Sequence, residues 1–166
     1  MDNQQATQFE IGWIIGIIDG EGSILLGRNH YNNRTRYTPI IQIVNTNKNM
    51  MDKAYSILKK LDIGCWMNTY QRRLSTERPI GQLRIAGIKR CKKFLDITKD
   101  LFIAKNNQAN YLHKYLQFRL SLPSHNVPYD KEGEDTFKLI HGENWKSSET
   151  TRVTRLDKYI ERRKQS

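Results

Sequence analysis

The spacing of apolar residues along this chain predicts helices that alternate with pairs of strands. Apolar side chains at helical spacing, together with cap and stop residues, indicate helices from Thr7, at 47–61, 89–100, 106–122 and 136–140, and from about Ser148. Short β-branched runs between turn residues indicate strands at 23–28, 37–45, 65–72 and 81–86. The order αββαββα with added C-terminal helices predicts an α+β fold, and at 166 residues one domain spans 1–166.

The first helix carries a pattern that needs a physical reason. Thr7 and Glu10 have the spacing of a capping box, so the helix should begin there. Glycine then recurs every fourth residue, and each interior glycine costs a helix about 1 kcal/mol relative to alanine. Three glycines on one face let a second backbone approach closely. The predicted contact face, shared with a partner helix, consists of Gly12, Ile15, Gly16, Asp19 and Gly20.

The helix ends in two acids. Asp19 and Glu21 are two residues apart, so they cannot share a helical face and must point in different directions. Farther along the chain, the helix at 106–122 presents an apolar face and is closed by Pro123. That face consists of Ala109, Leu112, Leu116 and Leu120.

Two predicted hairpins suit an antiparallel sheet with one face on the helices and the other face outward. Alternation assigns the outward side chains of the second and fourth strands: Arg36, Thr38, Gln42, Gln82 and Arg84. The sequence does not decide which side chains of the third strand face outward, because a one-residue shift of register exchanges its two faces. Its outward set is either Asn68, Tyr70 and Arg72, which polarity favours, or Met67, Thr69, Gln71 and Arg73.

The net charge of the chain narrows the range of possible functions. The chain has 28 Lys and Arg against 17 Asp and Glu, a formal net charge of +11, which is typical of a polyanion-binding protein. The apolar stretch from Ile11 to Ile18 is too short to span a bilayer, and no signal peptide precedes it, so we expect an intracellular protein with no membrane partner. Cys65 and Cys91 lack metal-ligand spacing and indicate free thiols in a reducing compartment.

Three segments resemble one known family. The run IIGIIDGEG at 14–22 resembles the LAGLIDADG motif of homing endonucleases, with Glu in place of the second Asp. The run KNNQAN at 105–110 resembles the start of that family's QAN helix, and SETTR at 148–152 resembles the C-terminal SETVR helix of its single-motif members. The three matches occur in the family's order and span most of the chain.

The resemblance implies an activity and its residues. Glu21 would bind a divalent metal, Mg²⁺, with the Gly20 carbonyl, while Asp19 serves the helix junction. Lys105 and Asn45 fall at active-site positions, Leu25 and Asn29 of the first strand face outward, and the family alignment favours the second set for the third strand. A chain with one motif implies a homodimer whose curved sheets form a saddle for double-stranded DNA.

The implied protein is a site-specific, intron-encoded double-strand DNA endonuclease with a long pseudo-palindromic target, in a prokaryotic cytoplasm or an organelle. The alternative is a noncatalytic nucleic-acid-binding protein of the same fold, an intron maturase or a DNA-binding regulator, although retention of Glu21 and Lys105 argues against a pure binder. A basic structural RNA-binding protein would explain none of the three matches.

Overall fold

A computed structural model of the protein describes residues 6–31, 34–71, 79–123 and 131–144. The elements are α1 (Gln8–Glu21), β1 (Gly22–Tyr31), β2 (Arg34–Asn45), α2 (Lys48–Lys60), β3 (Trp66–Tyr70), β4 (Ile80–Ala86), α3 (Ile88–Thr98) and α4 (Asn106–Ser121). A single 3₁₀ turn, Lys99–Leu101, follows α3, and a fifth helix, α5, occupies 131–144. The predicted α+β class and αββαββα order are confirmed. No helix in the described ranges is both long enough and apolar enough to cross a bilayer.

The four strands form one antiparallel sheet in the order β1-β2-β4-β3. One face of this sheet is covered by the helices, and its side chains form the centre of the hydrophobic core. These inner-face residues are Ile24, Leu26, Ile41, Ile43, Leu83 and Ile85. The opposite face, called the outer face below, carries the alternate residues of each strand.

Helix α1 runs into β1 without a linker. Its predicted capping box is present: the Thr7 hydroxyl accepts from the Glu10 amide at 3.2 Å, and the Glu10 carboxylate accepts from the Thr7 amide at 3.0 Å. At the other end, a Cβ on Gly22 would lie 2.8 Å from the Ile18 Cα and 2.9 Å from the Gln42 carbonyl oxygen. No side chain fits there, so Gly22 lets the helix end pack directly against β2.

The apolar face of α4 differs from the prediction at its last turn. Ala109, Leu112 and Leu116 are buried as expected, whereas Leu120 is 45% exposed and Arg119 is buried instead. Residue 120 follows Leu112 by eight positions, so its side chain points about 80° away from that of Leu112. Residue 119 follows Leu112 by seven positions, so its side chain lies on almost the same face of the helix. The prediction for Leu120 is therefore wrong.

Helix α5 is longer than the predicted 136–140 and is fastened to the β1–β2 hairpin. Both Glu134 carboxylate oxygens accept from Arg28 Nη1 at 2.9 Å, and the Tyr37 hydroxyl donates to Glu134 at 2.9 Å. These hydrogen bonds, from Arg28 first and then Tyr37, lower the pKa of the Glu134 carboxyl. The Arg28 guanidinium also stacks over the Phe137 ring at 4.5 Å. The helix predicted from Ser148 lies outside the described residues.

Candidate functional site

The two acids at the end of α1 have different partners. The Asp19 carboxylate accepts from three consecutive backbone amides, those of Ile103 at 2.7 Å, Ala104 at 3.2 Å and Lys105 at 2.9 Å. Asp19 therefore fastens the end of α1 to the start of α4. It was predicted to lie in the dimer contact, but its carboxylate is bound within its own chain.

Lys105 completes this junction. Its ammonium donates to the backbone carbonyl of Asp19, which is one of the carbonyls left without a helical partner in the last turn of α1. Burial lowers the pKa of Lys105, and the Asp19 charge opposes that shift. A partly dehydrated positive charge is thereby held next to the last turn of α1.

Glu21 is the last residue of α1 and is exposed. Its carboxylate accepts from the side-chain amide of Asn45, at the end of β2. The Asn45 side-chain oxygen, Oδ1, in turn accepts from the Asn47 backbone amide at 2.8 Å, which fixes the orientation of the Asn45 side chain. The structure thus places Glu21, Asn45 and Lys105 around one helix end, although they are far apart in sequence.

The donor set at this end suits an oxygen-preferring divalent cation. The C-terminal end of α1 carries the negative end of the helix dipole and no basic residue in its last turn, which favours a bound cation. Among the described residues no group of three His, Cys, Asp or Glu side chains could enclose a metal. Glu21 and the exposed Gly20 would be ligands of an incomplete site, and Mg²⁺ commonly completes such sites with water and substrate phosphate oxygens.

Replacing Asp19 tests the junction. We expect Asp19→Ala to lower the free energy of unfolding by about 2 to 4 kcal/mol, because it leaves three backbone amides without their charged acceptor. Asp19→Asn keeps one acceptor oxygen and should fall between Asp19→Ala and the unmodified protein. Urea unfolding followed by circular dichroism measures both. A loss below about 0.5 kcal/mol for Asp19→Ala would contradict the assignment.

The outer face collects the side chains predicted to contact a ligand. Strand register places Ser23 opposite Gln42, Gln42 opposite Arg84, and Arg84 opposite Trp66, so one outward row crosses all four strands. The other predicted residues on this face are Leu25, Asn29, Arg36, Thr38, Asn68, Tyr70 and Gln82. Arg72 lies outside the described residues.

The register also decides the open question about β3. Asn68 pairs with Gln82 and Tyr70 with Ile80, whereas Met67 pairs with Leu83, whose side chain is buried on the inner face. Opposite residues of an antiparallel pair share a face, so the outward set is the one that polarity favoured.

Trp66 belongs to this outward set and is 50% exposed, but sequence reasoning did not single it out. Its spacing of two residues from Asn68, which is itself two residues from Tyr70, was the sequence signal that could have placed it on the outer face. An exposed indole beside Arg84 gives the outer face a large flat surface that can pack on a ligand.

The glycine stripe of α1 is open. A Cβ on Gly12, Gly16 or Gly20 would meet no described atom within 4 Å, and Phe9, at the start of the same stripe, is 73% exposed. Ile15 is different: it is only 3% exposed and packs in the core of its own chain. The prediction that Ile15 lies in a contact with a partner is therefore wrong, because the spacing that exposes the glycines turns residue 15 inward.

Comparison with known proteins identifies the fold. No family model matches the sequence, and no curated protein matches it. Among solved structures, the homing endonuclease I-CvuI in complex with DNA superimposes with a TM-score of 0.54 at 12% identity, over 81% of this chain and 96% of that chain. The archaeal intron-encoded homing endonuclease I-Vdi141I, complexed with DNA, gives 0.50 at 16% identity, over 82% and 98%.

A longer protein matches over less than half of its length. The LAGLIDADG homing endonuclease I-GzeII, in complex with its DNA target, gives a TM-score of 0.57 at 16% identity, over 78% of this chain but only 42% of that chain. The fold of the present protein is that of LAGLIDADG homing endonucleases.

Proposed function

We propose that this protein is a homodimeric, Mg²⁺-dependent, site-specific DNA endonuclease that makes double-strand breaks at a long, nearly palindromic target. The observation that carries the proposal is the convergence of Glu21, Asn45 and Lys105 at the end of α1. That helix end adjoins a sheet whose outer face presents polar and basic side chains. In keeping with the fold, the substrate would be an allele that lacks the intron encoding the enzyme.

The outer face supplies binding. A curved antiparallel sheet fits the major groove, where each base pair presents its own pattern of donors and acceptors. Gln42 and Gln82 are hydrogen bonded to each other at 3.2 Å, an arrangement that holds two amides ready for base edges. The Arg84 side chain is partly exposed and forms no hydrogen bond or ion pair among the described residues, which leaves its guanidinium available to a ligand.

The helix end supplies the chemistry. The chemistry that Mg²⁺ would supply here is activation of the attacking water and Lewis-acid stabilisation at the phosphate. Glu21 and the Gly20 carbonyl would hold the ion, and Asn45 keeps the Glu21 carboxylate oriented. Lys105, held at the Asp19 carbonyl, stabilises negative charge that develops on the phosphate oxygens. No protein nucleophile is needed.

Two subunits would cut the two DNA strands. Packing of two α1 helices along the exposed stripe of Gly12, Gly16 and Gly20 would bring two copies of Glu21 together on the symmetry axis. The coverage of the structural neighbours supports this arrangement, since the chain corresponds to nearly all of two of them and to under half of a longer one.

Selection of cleaved sites from a random duplex library tests the proposed function. We expect recovery of one long sequence with approximate two-fold symmetry, cleaved in Mg²⁺ and intact in chelator. A protein that binds one duplex tightly and leaves it uncut in Mg²⁺ would favour the noncatalytic alternative, a maturase or regulator. Failure to bind any duplex would exclude both functions.

Arg84 provides a test of base recognition. Arg84→Ala should relax base preference at one symmetric pair of target positions, at a cost of about 1 to 3 kcal/mol for each bidentate pair of hydrogen bonds to a base. Arg84→Lys is the matched control, because it keeps the charge and removes the planar fork. Binding to a panel of single-position variants of the target measures the effect. An equal loss of affinity on every sequence would instead mark Arg84 as a phosphate contact.

A further inference from the structure

We propose that a basic pocket at the edge of the outer face clamps one backbone phosphate of the DNA, beyond the base pairs read by the sheet. The pocket has a volume of about 610 Å³ and lies where four elements meet: the end of α2, the start of β3, the end of β4 and the start of α3. Its wall includes Lys59, Trp66, Arg84 and Arg90. The inference rests on the proposed function, because it concerns the same duplex.

The side chains that line the pocket make it positive. Among the described residues that line it, three side chains are cationic and none is acidic. Among the described residues, the side chains of Arg84 and Arg90 form no hydrogen bond and no salt bridge. Arg84 is assigned to a base above, so Arg90 is the guanidinium left for an anion from outside the chain.

The backbone at Gly64 leaves room for the Arg90 side chain. A Cβ on Gly64 would lie 2.9 Å from Arg90 Nε and 3.2 Å from its Cδ, so the Arg90 side chain lies directly across the glycine. A larger residue at position 64 would displace the guanidinium. Gly64 therefore allows Arg90 to lie along the pocket wall.

The start of α3 adds to the positive potential. Its N-cap residue is Gly87, which has no side chain to accept from the first amides, and no acidic residue lies in its first turn. The first amides of the helix thus lack a side-chain cap, and Lys89 and Arg90 place positive charge at the positive end of the helix dipole. This arrangement is unfavourable for the isolated protein, and an anion bound by Arg90, the residue of this turn that lines the pocket, would relieve part of it.

The position of the pocket identifies its occupant as a DNA phosphate. Trp66, Arg84 and Ala86 all project from the outer face, so the pocket continues the surface proposed to hold the duplex. Along β4, Arg84 lies three residues beyond Gly81, which pairs with Asn45 at the active-site end. The clamped phosphate would therefore lie away from the cleavage site, with the exposed Trp66 ring against a neighbouring sugar.

The dependence of binding on salt measures the clamp. A fluorescein-labelled duplex carrying the selected target is titrated by anisotropy at several salt concentrations with the wild type, Arg90→Ala and Arg90→Lys. Each phosphate contact contributes about 0.9 to the slope of log affinity against log salt, so Arg90→Ala should lower the slope by about 2 in a dimer. Arg90→Lys should keep the wild-type slope, because the slope reports charge rather than shape.

Controls separate the clamp from other roles of Arg90. Lys114→Ala removes an exposed charge from α4, in the helix layer, and should leave the slope unchanged. Phosphate ethylation interference with the wild type should show one sensitive phosphate in each half of the target, outside the positions read by Arg84, whether or not Arg90→Ala folds. Those two phosphates should become insensitive with Arg90→Ala.

Each outcome is decisive. A wild type that binds and cuts its target, with no sensitive phosphate at that position or with an unchanged slope for folded Arg90→Ala, would refute the clamp and leave the proposed function standing. A fall in the affinity of Arg90→Ala at only certain base pairs would also refute it. A wild type that binds no duplex would remove the proposed function and the clamp together.

Discussion

Glu21→Gln is expected to abolish cleavage of both DNA strands in Mg²⁺ while target affinity stays equal or becomes slightly higher. The substitution keeps the size of the side chain and removes its charge. A metal ligand is needed for chemistry, whereas affinity comes mainly from the basic sheet and from phosphate contacts. Removing a carboxylate next to a phosphate also relieves repulsion. Cleavage of a labelled target and anisotropy at one fixed salt concentration measure the two effects.

A second glutamate provides the control for that experiment. Glu132 is exposed on α5, away from the end of α1, and Glu132→Gln should cleave and bind as the wild type does. Normal cleavage by Glu21→Gln, or full cleavage by the wild type in chelator, would show that the metal assignment is wrong. The noncatalytic binding protein would then become the better interpretation.

Gly16→Leu is expected to convert the dimer to a monomer and to eliminate double-strand cleavage. A leucine in the middle of the stripe would hold two α1 helices apart and separate the two copies of Glu21. Within one chain the new side chain meets open space, since no described atom lies within 4 Å of a Cβ at Gly16. The monomer should therefore fold normally. Sedimentation velocity at micromolar concentration, with and without target DNA, measures association.

The open space at Gly16 makes the result easy to interpret. Gly16→Ala should raise the free energy of unfolding of the monomer by up to about 1 kcal/mol, because alanine is the better helix former. Gln117→Leu places the same side chain on an exposed position of α4 and should remain dimeric. A wild type that stays monomeric on its target, or a Gly16→Leu variant that still dimerises, would refute the symmetric arrangement.

The order of elements was readable from the sequence because local signals agree with the fold. Thr7 and Glu10 cap α1 as their spacing predicts, and Asn47 caps α2 by accepting from the Met50 amide at 3.1 Å. Facing was harder. Both sets of β3 residues contain polar side chains, so only the pairing of Asn68 with Gln82 could choose between them.

The site was readable only in part, since its contacts join distant segments. The spacing of Asp19 and Glu21 shows that they diverge but not that Asp19 receives three amides from residues 103–105. Glu21 and Lys105 were named from the family resemblance rather than from any local pattern. The pocket around Arg90 depends on four elements that meet near Gly64, and no periodicity in the sequence reveals that meeting.

The Asp19 junction also constrains the order of events during folding. The amides that bind Asp19 lie more than 80 residues farther along the chain, so the contact closes a long loop and carries a large entropic cost before it forms. A nascent chain that has not yet emerged past Lys105 can form α1 and present Glu21, but it lacks the ammonium and the amides that complete the helix end. The acidic motif is thus synthesised early, and its assembly waits for residues 103–105.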